Sequence, residues 1–210
     1  MFDASRTSVA VIGGGPAGLM AAEILCNAGI QVDVFDAMPS FGRKFLLAGI
    51  GGLNITHSEE YEKFCKRYSE SQPHLQTALD SMTPDKLCDW VHGLGVETFV
   101  GTSGRVFPKE MKAAPLLRAW LHRLRQGGVR MHVRHRWLGW GANGSLRFSS
   151  PKGEIELKPQ ATVLALGGAS WPKLGSDGAW VPWLRAAGAE VAELESANCG
   201  FEVKWSDYLR

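Results

Sequence analysis

Three glycines and one carboxylate are the residues whose types and spacing could do chemistry. Gly13, Gly15 and Gly18 occupy the fixed places of G-x-G-x-x-G within Gly13-Gly14-Gly15-Pro16-Ala17-Gly18. Each place has its own physical requirement: a tight turn at the first, close backbone approach to a pyrophosphate at the second, close helix packing at the third. Pro16 falls near the first helical position, where its missing N–H costs nothing, and Ala17 completes the turn. A helix beginning here directs its free N–H groups and positive dipole end at phosphates. Asp36 lies 18 residues after Gly18, where a carboxylate would take ribose hydroxyls, and Ala37 follows it. The chemistry this set points to is recognition of a dinucleotide. The bland alternative is a glycine-rich turn in some other α/β protein.

The surrounding elements fit the motif. Val9 to Ile12 is apolar without alternation, as expected of a strand covered on both faces. A helix then runs to Gly29, which stands at its C-terminus. Ile30 to Asp36 reads as the next strand, so strand, turn, helix, strand and acid fall within about 30 residues, the length of a βαβ unit. The following stretch, Ala37 to His57, reads as a long loop rich in glycine. Loops of this length without periodicity are uncommon unless functional. In it Arg43 and Lys44 can offset phosphate charge, while Asn54 and Thr56 offer polar contacts.

Further along, Ser58 reads as a helix N-cap, and Thr83-Pro84 as a cap with proline at the first helical position. Leu87, Trp90, Val91 and Leu94 recur at helical spacing, and Val96 to Val100 reads as a strand. Pro115 to Leu124 forms an amphipathic helix ended by Gly127-Gly128. Strands are expected at Val129–Val133, near Trp137–Trp140, Leu146–Ser149 and Ile155–Leu157, and as a buried strand at Ala161–Leu164. Gly175 to Gly178 reads as the cap of a helix over Ala179–Ala187, and a strand-like region follows toward residue 210.

Three segments together carry a resemblance. GRKFLLAGIGGLNITH (Gly42–His57), GRVFP (Gly104–Pro108) and LALGGASWP (Leu164–Pro172) resemble the bacterial flavoprotein family of NAD(FAD)-utilizing dehydrogenases. The resemblance implies an α/β fold: a Rossmann-like FAD-binding domain with a parallel sheet flanked by helices and a small antiparallel β section. It implies FAD as cofactor, with NAD(P)H as a transient electron donor. It places Arg43, Lys44, Gly52, Asn54 and Thr56 on the pyrophosphate-to-flavin side. By the same analogy Trp137 offers backbone contacts to the adenine, and Ala165, Gly167 and Gly168 form the turn beside the cofactor. Leu166 replaces the threonine usual in that turn. His57 is the tempting catalytic residue, but a loop histidine is more often a plain polar contact, and no catalytic residue is named.

The expected function is a flavin-dependent oxidoreductase transferring hydride to or from an unknown small molecule. The rivals are a flavin-free NAD-dependent dehydrogenase and a catalytically inactive dinucleotide-binding module. The expected domains are residues 1–195 for the dinucleotide fold and 196–210 for the start of an inserted substrate domain. Relatives by resemblance are about twice as long, so the chain is expected to be truncated and to hold FAD weakly.

Composition narrows the setting. The chain has 210 residues, 45% hydrophobic and 21% charged, with a net charge of +2, ordinary for a globular protein. Cys26, Cys65, Cys88 and Cys199 lack C-x-x-C spacing, which suits reduced thiols and no metal. With no signal-peptide pattern and no apolar span, a cytoplasmic protein with no membrane partner is expected. Nine Arg or Lys and one acid lie between Arg105 and Arg136. Their placement opposite the apolar stripe suggests a solvated helix face and no nucleic-acid partner.

Overall fold

The computed structural model describes residues 9–195. In chain order the elements are β1 (Val9–Ile12), α1 (Pro16–Asn27), β2 (Val32–Asp36), α2 (Arg43–Ala48), β3 (Thr56–His57), α3 (Tyr61–Lys66), α4 (Gln72–Ser81), α5 (Pro84–His92), β4 (Thr98–Val100), β5 (Arg105–Pro108), α6 (Ala113–Gln126), β6 (Arg130–Val133), β7 (Arg136–Trp140), β8 (Leu146–Ser150), β9 (Gly153–Leu157), β10 (Ala161–Leu164) and α7 (Val181–Ala186). A parallel sheet has the order β10-β1-β2-β6. Two small antiparallel sheets, β3-β5-β4 and β7-β8-β9, complete the strands. The architecture is that of a Rossmann domain.

The apolar run of β1 is divided between the two faces of the sheet. Val9, Val11, Val32 and Val34 pack with Leu19, Ala22, Leu117, Trp120 and Leu124 of α1 and α6. Ala10, Ile12 and Phe35 pack instead with Trp137, Leu146, Phe148 and Leu157. So helices cover one face and the β7-β8-β9 sheet covers the other. A fully buried side chain such as Phe35, Phe148 or Leu124 stabilises by about 1.5–3 kcal/mol relative to exposure.

Two buried carboxylates tie these layers. Asp33 in β2, fully buried, is ion-paired with Arg130, its register partner in β6, and with His132 at 2.6 Å. Glu23 of α1 accepts from both indoles that face it: Trp90 Nε1 at 3.2 Å and Trp120 Nε1 at 2.6 Å. Arg123 of α6 lies 3.1 Å from the same carboxylate and rests over the Trp90 ring. Buried charge persists only where it is paired and hydrogen-bonded in this way.

Several expectations change. The stretch read as a loop contains α2, six residues long, too short to show a period. Ser58 caps no helix; its hydroxyl donates to Gly104 O at 3.1 Å, and Glu60 stands at the start of α3. Thr83 does cap α5, accepting from Lys86 N. β10 is half exposed rather than buried, because among the described residues it pairs on one side only, with β1. α7 spans six residues and starts at Val181, after a turn. The strand-like region after residue 195 lies outside the described residues.

Candidate dinucleotide site

Strand order sets the position of the site. β2 follows on one side of β1 and β10 on the other, so the chain leaves the sheet in opposite directions at the C-terminal end of β1. Such a switch point opens a crevice beyond the strand ends. Here the crevice is a cavity of about 600 Å³. Its base is the glycine turn, with Gly13, Gly15, Pro16, Ala17 and Asp36. One wall is α2, with Arg43, Lys44 and Phe45, and the other is Leu164 to Gly167 with Leu174, Gly175, Ser176 and Trp180. A smaller space of about 70 Å³ shares Gly13 and Asp36 and adds Ala37, His135, Arg136 and Trp137.

The glycine turn shows why side chains are excluded. Gly13 has φ of 112°, and a Cβ there would lie 2.1 Å from Ala165 O. A Cβ on Gly18 would lie 1.9 Å from Gly13 O, so α1 rests directly on the turn. Gly15 differs: no atom lies within 4 Å of its hypothetical Cβ. Its missing side chain leaves open space over the first turn of α1, where a ligand's phosphates could approach.

Asp36 organises the turn as well as facing the cavity. Its Oδ2 accepts from Gly14 N and its Oδ1 from Met38 N, both at 2.7 Å. Burial pushes the carboxyl above the ordinary carboxylate range, against the pull of the Met38 and Gly14 amides and the Arg43 cation. Its remaining lone pairs can accept further hydrogen bonds.

Two buried donors at the site have no hydrogen-bond acceptor among the described residues: Arg43 Nε and Trp137 Nε1. Buried polar groups are nearly always satisfied, so these two fit a ligand that brings acceptors. An adenine dinucleotide has such acceptors in its diphosphate oxygens and ring nitrogens. Trp137 is itself almost wholly buried, between Trp140 and Trp183. Across the cavity Lys44 Nζ donates to Ser170 Oγ at 2.9 Å, while Gly167 O accepts from Trp180 Nε1 at 3.1 Å.

The structure brings Gly13, Gly15, Pro16, Ala17, Asp36, Arg43, Lys44, Ala165 and Gly167 to one cavity, with Ala37 and Trp137 beside it. It leaves Gly18, Gly52, Asn54, Thr56 and Gly168 off both linings. Gly52 packs against Met111, whose Cε would meet its Cβ at 2.5 Å. Asn54 is exposed, and Thr56 is buried in β3 opposite Val106. Gly168 O accepts from Ser176 Oγ at 2.8 Å. The His57 ring is spent on structure: Nδ1 accepts from Glu59 N at 3.1 Å and Nε2 pairs with Ser103 O at 3.0 Å. Met38, Ser176 and Trp180 line the site without having been singled out in the sequence. The available signal is Gly175, a left-handed glycine in the turn that lines the cavity.

Comparison with known proteins agrees with this geometry. Ribosomal RNA dihydrouridine synthase of Escherichia coli (strain K12) is 26% identical over 172 residues, covering 81% of this chain and 42% of that protein. Thiamine thiazole synthase of Methanosarcina barkeri is 34% identical over 102 residues, covering 47% of this chain and 39% of that one. The chain thus spans less than half the length of these relatives. Among solved structures, 3-ketosteroid-delta4-(5alpha)-dehydrogenase from Rhodococcus jostii RHA1 superposes with a TM-score of 0.60 at 15% identity, covering 88% of this chain and 54% of that one. Thermovibrio ammonificans THI4 gives 0.52 at 19%, covering 89% and 65%. At such identities the likeness establishes the fold. The match that settles kinship spans residues 7–203 and is to the HI0933-like protein Rossmann domain, the family to which this chain belongs.

Proposed function

We propose that this domain binds FAD and belongs to a flavin-dependent oxidoreductase acting on a small molecule in the cytoplasm. The observation that carries the reading is the switch-point cavity, where an open glycine turn, a half-buried carboxylate and the unsatisfied Arg43 Nε meet, with the unsatisfied Trp137 Nε1 in the smaller space beside it. In this reading Gly13, Gly15 and the start of α1 take the diphosphate. Asp36 takes the adenosine ribose, and Arg43 and Lys44 balance the phosphate charge. Trp137 lies beside the adenine. A flavin held there supplies hydride transfer, with NAD(P)H as the electron donor; the protein binds, orients and excludes water.

The named relatives differ in kind, one a ribosomal RNA dihydrouridine synthase and one a thiamine thiazole synthase. Ion pairing favours the small molecule. Of the nine cations from Arg105 to Arg136, four are paired: Lys109 with Glu97, Arg123 with Glu23, Arg130 with Asp33 and Arg136 with Asp177. Pairing with acids lowers the charge this stretch could offer a phosphate backbone. Titration with FAD and with NAD, read by flavin absorption and by calorimetry, tests the reading. Saturable binding of FAD is expected; binding of NAD with indifference to FAD would replace it with a flavin-free dehydrogenase.

A further inference from the structure

Lys44 is a cation in the cavity wall whose hydrogen-bond partner is neutral. Its Nζ donates to the hydroxyl of Ser170, a residue exposed to solvent, and it forms no ion pair among the described residues. The helix that carries it is pinned to the phosphate turn. Gly42 N donates to Gly14 O at 2.9 Å, and a Cβ on Gly14 would lie 1.9 Å from the Phe41 ring. Ser170 belongs to the opposite wall. There the segment from Ala165 to Ser176 folds on itself, with Ser176 Oγ donating to Gly168 O. The residue after Ser170, Trp171, is a non-glycine residue in the left-handed region, with φ of 68°, and is 59% exposed. The Lys44–Ser170 contact therefore joins the two walls of the cavity, and one of those walls carries a strained, solvent-facing turn.

We propose that Ser170 is a placeholder on Lys44. Its hydroxyl holds the ammonium until a diphosphate oxygen of an adenine dinucleotide takes its place, and that exchange releases the Ala165–Ser176 wall. The inference rests on the dinucleotide reading above. Its physical basis is the difference in acceptors: a diphosphate oxygen carries negative charge that attracts the ammonium, and the serine hydroxyl carries none. Ser170 thus competes with the ligand for one cation, and the two residues must have opposite effects on affinity. Lys44 helps the diphosphate and Ser170 opposes it.

The test uses the full chain and two probes, ADP and adenosine, in calorimetric titrations. Ser170→Ala removes the competitor and is expected to tighten ADP about threefold. Lys44→Met is expected to weaken ADP about tenfold, and Lys44→Arg to recover most of that loss. Adenosine, which lacks phosphates, should bind all four proteins alike. Unchanged or weaker ADP binding by folded Ser170→Ala overturns the placeholder, while ADP and FAD binding by the unaltered chain leaves the dinucleotide reading standing. A folded, unaltered chain that binds neither FAD nor ADP overturns that reading, and the placeholder with it.

Discussion

Gly15 and Gly18 lie three positions apart in one turn, yet a methyl group has opposite consequences at the two. At Gly18 the methyl would collide with Gly13 O, a backbone atom that cannot move aside cheaply. Gly18→Ala should cost about 1–3 kcal/mol of stability, as overpacking does, measurable as a lowered denaturation midpoint. At Gly15 nothing stands in the way, so Gly15→Ala should leave the midpoint near that of the unaltered protein while abolishing dinucleotide binding. If both variants lost stability equally, the open approach to the phosphates would be disproved. Asp36 gives a prediction in pH. Burial raises its folded pKa above the ordinary 3.8, so the folded state keeps this proton to higher pH than the unfolded chain. Its contribution is fully present below the unfolded pKa and is lost as pH rises through the folded one. The stability of the unaltered protein minus that of Asp36→Asn should therefore fall as pH rises through and above the ordinary carboxylate range; a flat difference would show that burial does not dominate there.

At the scale of elements, α1, α5 and α6 are held together by one side chain. Glu23 takes two indole N–H groups and the Arg123 charge. Glu23→Ala would leave both indoles and the guanidinium unsatisfied, and should cost about 3–5 kcal/mol, the usual result of removing one partner from a buried pair. Glu23→Gln, which keeps an acceptor, should cost less; equal losses would mean that packing rather than polarity holds the helices. Nothing in the sequence pointed to this clamp, because its members are 67 and 97 residues apart. What was legible was local: β1, the turn, α1, β2 and the β7-β8-β9 section follow from apolar runs and glycine positions. α2 is hidden in the sequence because six helical residues between Gly42 and Gly49 show no period, and its cations look like loop residues. The exposure of β10 was hidden because an apolar run reports composition, not how many neighbours a strand has. Gly52, Asn54 and Thr56 were placed beside the ligand by resemblance, and their backbone turns away to β3 and Met111, a path no local pattern specifies.

At the scale of the molecule, the parallel sheet is a wall between two unlike layers, helices on one face and an antiparallel sheet on the other. The cavity opens at its edge, where β1, β2 and β10 end. The turn with Asp36 and the Ala165–Ser176 wall come from distant parts of the chain, so a ligand there bridges segments that the fold brings together. Ligand that binds only the folded state must then raise its stability, by about 2.7 kcal/mol at a hundredfold excess over Kd. The most direct test is titration of the chain with FAD, followed both by flavin absorption and by thermal melting. One saturable site is expected, with a melting temperature that climbs with FAD concentration and loss of both in Gly15→Ala. A folded chain whose flavin spectrum and melting temperature do not respond to FAD would contradict the FAD reading.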